Sequence, residues 1–384
     1  MTTAIRVNGF LRAAAGTLVI AAAYSYFLIF AQFGFLHLIQ QGGASILQVR
    51  VVMTFMGFGG IFASIAAARH CSLQNAQRML QAGLIGCAAA AGLSLIMEGI
   101  LAKCVVAAFI GASVGLLTVT LAASFPFLAG FRRFGLKAGV GTGLAYAFCN
   151  IPSVFAANPH RQTDVAIACC ALGLLVLPAI AKREGEQDTQ TDSGSKMLDS
   201  AFYALVAAFF ALVCLDSGGF FILQNTPALN RFGWASSLLQ WQNAAIHLLA
   251  AAAAGVWLDR RGLNWIPPIA FALLAAASMC LTSGQYAIAT HWPYAAGVSL
   301  YSAALAFAPA ARSGGDMRVA ASRAGILFAV AGWFGSALGI AIAQNLHAIP
   351  VWLVVTAGIL VGGGFCWSTM TGRAEGKDSQ RELI

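Results

Sequence analysis

Apolar stretches of about 20 residues recur along almost the whole chain, parted by short polar loops. Each is long enough to cross a hydrocarbon layer of roughly 30 Å as a helix. Inside such a layer no water serves the backbone N–H and C=O groups, so every stretch must close its own hydrogen bonds and become helical. Only 9% of the 384 residues are charged, against about a quarter in soluble domains. The chain therefore reads as an all-α integral membrane protein with no room for a soluble domain.

Hydropathy places helices at about 11–36, 45–68, 79–97, 101–125, 137–156, 163–181, 199–224, 234–258, 265–283, 293–311, 322–345 and 350–370, twelve in all. The first is too long for a signal-peptide core and lacks a small-residue cleavage site, so it is expected to be retained. The longest polar segment, 182–198, has the composition of a flexible linker and falls at mid-chain. It divides two six-helix bundles, 1–181 and 199–370, and a tail, 371–384, follows.

Charge supports this layout. With both termini and the linker on the cytoplasmic side, all of the 22 Lys and Arg except Arg50, Lys103, Arg161 and Arg231 fall on that side. The net charge of +9 is thus explained by topology, and no nucleic-acid partner is needed. The nine cysteines lie almost all in apolar runs without CxxC or zinc spacing, as small hydrophobic side chains do.

Between the eighth and ninth spans runs Gly255-Val256-Trp257-Leu258-Asp259-Arg260-Arg261-Gly262. Asp259 is placed to face the positive backbone charge at the start of the following helix, with Arg260 and Arg261 in the aqueous interface. This turn resembles the signature of the major facilitator superfamily, a Gly, three residues, then Asp-Arg and a basic or glycine pair. The equivalent turn of the first half runs from Ser64 to Arg69-His70-Cys71 and has Ala68 where the pattern has its aspartate. Lys137-Ala138-Gly139 and Arg323-Ala324-Gly325 sit at matching offsets in the fifth and eleventh spans, as parallel repeats would place them. The resemblance implies two bundles rocking about a midplane site, with Gly255, Asp259, Arg260 and Arg261 as a conformational latch.

Acids are nearly absent from the spans, which singles out Asp216 in the seventh. A carboxylate at that depth costs a few kcal/mol unless it is paired, protonated or facing a watery cavity. Gly218 and Gly219, just after it, are expected to loosen the helix so that backbone carbonyls reach a ligand. On the eighth span Ser236, Gln240, Asn243 and His247 share one face, which must point inward, and His247 suits a proton relay beside Asp216. Softer candidates for solute contacts are Tyr24 and Gln32 on the first span, near Ser25 and Tyr26, and Tyr146 and Asn150, with Ser153, around Pro152 on the fifth. Tyr301 and Trp333 are further cavity walls. Arg50 is either an anion contact or a residue snorkelling to headgroups. Ser113, Thr120 and Ser124 align on the fourth span, as packing residues do.

No GxxxxGK[ST], GxSxG or HExxH occurs, so neither ATP-driven transport by this chain alone nor an enzyme is expected. No cofactor is implied. The expected function is secondary transport of a small solute by alternating access, coupled to protons, by a monomer in the inner (cytoplasmic) membrane. Two alternatives stay open. Met53, Met56, Cys214, Asp216 and His247 include soft ligands, which suits uptake of copper, iron or a metal complex. The degenerate first-half turn suits a non-transporting receptor or assembly factor with the same fold.

Overall fold

The computed structural model describes residues 2–180, 199–226, 229, 234, 236–283 and 287–381. The expected linker 182–198 and Arg231 lie outside the described residues. Among the described residues every regular element is helical, and twelve helical rods follow one another. The first six are α1 (Gly9–Gln41), α2 (Ile46–His70), α3 (Ala76–Ile96), α4 (Ile100–Ala129), α5 (Phe134–Cys149, then the single turn Pro152–Phe155) and α6 (Pro159–Ile180). After the linker come α7 (Ser200–Asn225), α8 (Ser237–Arg261), α9 (Ile266–Ser283), α10 (Ala287–Ala311), α11 (Met317–Leu346) and α12 (Val351–Arg381).

Local chemistry sets their ends. Ser45 and Gln48 form a reciprocal capping box at the start of α2, and Asn158, Asp199, Ser236 and Asp316 cap α6, α7, α8 and α11 with side-chain oxygens. Gly130, after α4, and Gly262, after α8, turn the chain at φ of 85° and 72°, a region that residues with a Cβ avoid. Nine rods, among the described residues, are long and apolar enough to cross a membrane. The others are α9, whose apolar run is Ile266–Leu281, α5, which is interrupted before Pro152, and α8, whose inward polar stripe dilutes its hydropathy.

The first six rods pack as one bundle and the last six as another. α4 lies against α2 and α3, and α10 lies against α8 and α9. Between bundles, α5 packs along α8 and α2 along α11. Small residues permit these approaches: a Cβ added to Gly139 of α5 would come within 2.2 Å of the Ala251 carbonyl on α8, and one on Gly325 of α11 within 2.4 Å of the Ala68 side chain on α2. Around the outside, Phe62, Leu101 and Leu175 are each more than two-thirds exposed. Such a surface would be unfavourable in water and is what acyl chains require.

Three local expectations are corrected. The glycines after Asp216 do not loosen α7, which runs unbroken through Ser200–Asn225. Gly218 instead admits the backbone of Gly339 and Gly219 the ring of Tyr294, so both serve packing. The irregular backbone sits elsewhere, in π-helical stretches at Phe27–Gly34 of α1 and Phe328–Gly335 of α11. Pro152 ends a helix and starts a new turn, since it cannot donate a backbone hydrogen bond. Asp259, finally, does not face the start of α9. Its two carboxylate oxygens accept the backbone N–H groups of Gly135 at 2.7 Å and Leu136 at 2.9 Å, in the first turn of α5 in the other bundle.

Candidate functional site

At the centre, α7, α8 and α10 meet α5. Asp216 of α7 is half-buried, and its Oδ1 accepts the hydroxyl of Tyr294 while Oδ2 accepts that of Tyr301. Both phenols come from α10, seven residues apart and so two turns along one face. The carboxylate thus meets a pair of donors fixed on a single helix.

His247 of α8 does not touch Asp216. Its Nδ1 lies 2.7 Å from the Ser299 hydroxyl of α10, and its ring stacks on Tyr146 of α5 with centroids 4.7 Å apart and planes at 12°. The Tyr146 hydroxyl lies 3.0 Å from that of Ser302, again on α10. One helix therefore holds Asp216 by two tyrosines and holds the His247–Tyr146 pair by two serines. Tyr146 belongs to the first bundle and the rest to the second, so this stack is a contact between halves.

The polar stripe of α8 continues towards the end opposite Asp259. The Gln240 amide donates to the Trp234 carbonyl at 2.7 Å, Trp234 donates its indole N–H to Asn150 at 3.2 Å, and Asn150 donates to the Tyr146 carbonyl at 2.9 Å. Asn243 is buried beside them. Above this chain Phe33, Phe155, Phe220 and Trp234 form an aromatic cluster that spans both bundles, with Phe33 on Phe220 at 5.0 Å and Phe155 on Trp234 at 5.8 Å. At the Asp259 end, Phe134 stacks on Phe307 at 4.9 Å, again across the bundles. Aromatic contacts thus join the two bundles at both ends among the described residues. The void left below the centre, lined by Tyr24, Thr118, Phe125, Phe134 and Phe328 among others, holds only about 10 Å³, roughly one water. The Tyr24 hydroxyl is buried there, without a hydrogen-bond partner among the described residues.

The sequence candidates thus separate into groups. Asp216, His247, Tyr146, Asn150, Gln240, Asn243 and Tyr301 gather at the centre or just above it, and Tyr24 lines the void. Gln32 is half-buried in the π-helical stretch of α1. Trp333 lies in the corresponding stretch of α11 and packs on Gly60 of α2, where a Cβ would come within 2.0 Å of its ring. Arg50 is exposed at the start of α2 and reaches Asn345 at 3.5 Å, away from the central cluster. Gly255 admits the Gly135 backbone of α5, Arg260 is exposed, and Arg261 covers the Trp257 ring at 5.1 Å. Met56 is buried in α2, and among the described residues no three His, Cys, Asp or Glu side chains converge as a metal site.

Four central residues went unread in the sequence: Tyr294, Ser299, Ser302 and Trp234. The seven-residue spacing of Tyr294 and Tyr301 was the available signal, because residues so spaced can offer two donors to one acceptor on a facing helix.

No protein-family model and no curated protein matches the sequence. Solved structures do match. A major facilitator superfamily transporter, FucP, in the outward conformation is 15% identical, with a TM-score of 0.62 over 94% of this chain and 98% of that one. A single-residue variant of the E. coli fucose:proton symporter FucP is 14% identical, with a TM-score of 0.62 over 95% and 98%. A single-residue variant of the nucleoside transporter NupG is 12% identical, with a TM-score of 0.56 over 92% and 99%. The chain has the fold of major facilitator transporters. It is an all-α, multi-pass membrane protein.

Proposed function

We propose that this protein is a secondary active transporter that moves a small polar solute by alternating access, coupled to protons through Asp216. The carrying observation is a half-buried carboxylate at the junction of the two bundles, held, among the described residues, by hydroxyl donors on a neighbouring helix. Such a group is tolerated where it is charged in one state and neutral in another. His247 and Tyr146 stand beside it as the contact that a solute must part. The centre is lined by amides, hydroxyls and aromatic rings, which suits an uncharged, hydrogen-bonding solute. A fucose:proton symporter and a nucleoside transporter sharing the fold support that class. We place the bundles at 1–181 and 199–370, the termini and the 182–198 linker in the cytoplasm, and the monomer in the inner membrane, on the distribution of basic residues.

The test is transport in proteoliposomes. A panel of sugars and nucleosides identifies the solute by counterflow, and accumulation is then driven by an imposed pH gradient. Asp216→Asn should abolish accumulation and retain counterflow. Undiminished accumulation by Asp216→Asn overturns the coupling role, and absence of flux for every solute overturns transport.

A further inference from the structure

Resting on that reading, we propose that Tyr294 and Tyr301 are positioning residues that make α10 the sensor of charge on Asp216, and that Ser302 passes the response to Tyr146 in the other bundle. An ionised carboxylate accepts at both oxygens, so it holds two phenols at once. Such bonds are roughly twice as strong as neutral ones. When Asp216 takes a proton from a hydronium ion on the side open to water in that state, one O–H bond of the hydronium breaks and an O–H bond forms on one carboxylate oxygen. A water molecule is left, and the negative charge is lost. Both phenols keep their own protons. Each then faces a weaker acceptor, and one oxygen has become a donor. The clamp on α10 loosens.

The geometry says where that loosening goes. Ser302 follows Tyr301 directly, and it bonds the Tyr146 hydroxyl at 3.0 Å across the boundary between bundles. Ser299, one turn earlier, holds the His247 ring that stacks on Tyr146. A rotation of α10 that follows release of Tyr301 displaces both serines together. Pro293 and Pro309 lie inside this helix near its ends. Each removes a backbone hydrogen bond, so the segment between them is able to move as a unit.

The ionisable groups that face Asp216 are few. Tyr294 and Tyr301 come from α10 and Tyr146 from α5. Cys214 lies one half-turn away on α7 itself, and His247 of α8 stands behind Tyr146. Arg323 of α11 packs at the far end of α7, where it pairs with Asp199 at 3.1 Å. With no cation among the described residues against the carboxylate, its charge is answered by the phenols, and a change in that charge has α10 as its nearest recipient.

Spin labels report the movement without knowledge of the solute. Gln74 and Arg318 are exposed at the Asp259 end of opposite bundles. They are changed to cysteine in the full chain on a Cys366→Ser background, since Cys366 is the exposed native thiol. Distances are measured in liposomes between pH 5 and 8 for the parent, Asp216→Asn, Ser302→Ala and Tyr294→Phe/Tyr301→Phe, with thermal unfolding as a check on folding. The parent should show two distances whose ratio changes at least tenfold with pH. Asp216→Asn should fix that ratio, and the double Phe variant and Ser302→Ala should each reduce its pH response at least fivefold. A folded double Phe variant that keeps the parent's pH response overturns the proposal, and Ser302→Ala with the full response overturns its second step. If Asp216→Asn itself responds to pH like the parent, the coupling reading fails as well, so the two failures are distinguishable.

Discussion

Removing the Asp259 carboxylate should bias the protein towards opening at that end. In the closed arrangement the carboxylate accepts two N–H groups from the first turn of α5, at 2.7 and 2.9 Å. Hydrogen bonds to charged groups contribute about 1.5–3 kcal/mol each, the lower values applying where water competes. Asp259 is exposed, so the low end is discounted further, and the pair together holds the closed state by about 2 kcal/mol, helix dipole included. At about 1.4 kcal/mol per factor of ten, Asp259→Ala raises the open-to-closed ratio roughly 30-fold. Asp259→Asn keeps one acceptor oxygen without the charge and should raise it about 5-fold. The Gln74–Arg318 label pair reads this ratio directly. Asp316→Ala is the matched control, because Asp316 caps its own helix, α11, through Arg318 and Val319 N–H. Its loss costs about 1 kcal/mol of helix stability and should leave the ratio unchanged. A ratio for Asp259→Ala within twofold of the parent would refute the latch.

Two further substitutions probe packing and pairing. Gly139→Ala forces a methyl to within 2.2 Å of the Ala251 carbonyl, and the resulting separation of α5 from α8 should cost about 1–3 kcal/mol, seen as a lower midpoint of thermal unfolding. Arg323→Gln removes a buried guanidinium that donates to the Arg312 carbonyl and pairs with Asp199. With Asp199 43% exposed, the loss should be nearer 2 than 5 kcal/mol, and Arg323→Lys should recover only part of it in the same melt.

The helices were legible because hydrocarbon thickness imposes a length that composition alone reveals, and the π-helical stretches at Phe27–Gly34 and Phe328–Gly335 were not, since they leave the hydropathy unchanged. Asp216 stood out by scarcity. Of its partners, Tyr301 was read only as a cavity wall and Tyr294 not at all, because tyrosines are ordinary on a membrane helix and only the facing carboxylate gives the pair a role. Of the α8 stripe, Gln240, Asn243 and His247 are buried as expected, whereas Ser236 is exposed and caps the helix. Periodicity is also blind to the neighbour a face meets, so the Tyr146 stack and the Ser299 bond were invisible. The partner of Asp259 was misplaced for the same reason. Sequence suggests the helix next along the chain, whereas the carboxylate reaches one that begins more than a hundred residues earlier.

The Asp259 contact also gives a physical reason for an aspartate in the turn after α8 and an alanine, Ala68, at the matching position after α2. Lys137 of α5 donates to the Ala129 and Gly130 carbonyls at the end of α4, and Arg323 of α11 donates to the Arg312 carbonyl just past the end of α10. To this point the bundles are equivalent. At the helix starts they part. α11 has Asp316 immediately before it, which satisfies its first N–H groups from within its own bundle. α5 is preceded by Arg133 in a left-handed conformation with no side-chain cap, so its N–H groups depend on Asp259 of the other bundle. An aspartate in place of Ala68 would find the start of α11 already served and would crowd Gly325, whose added Cβ would sit 2.4 Å from the Ala68 methyl. Ala68→Asp should therefore destabilise the closed end rather than reinforce it, and a label ratio shifted towards closed would show that a second polar latch had been available after all.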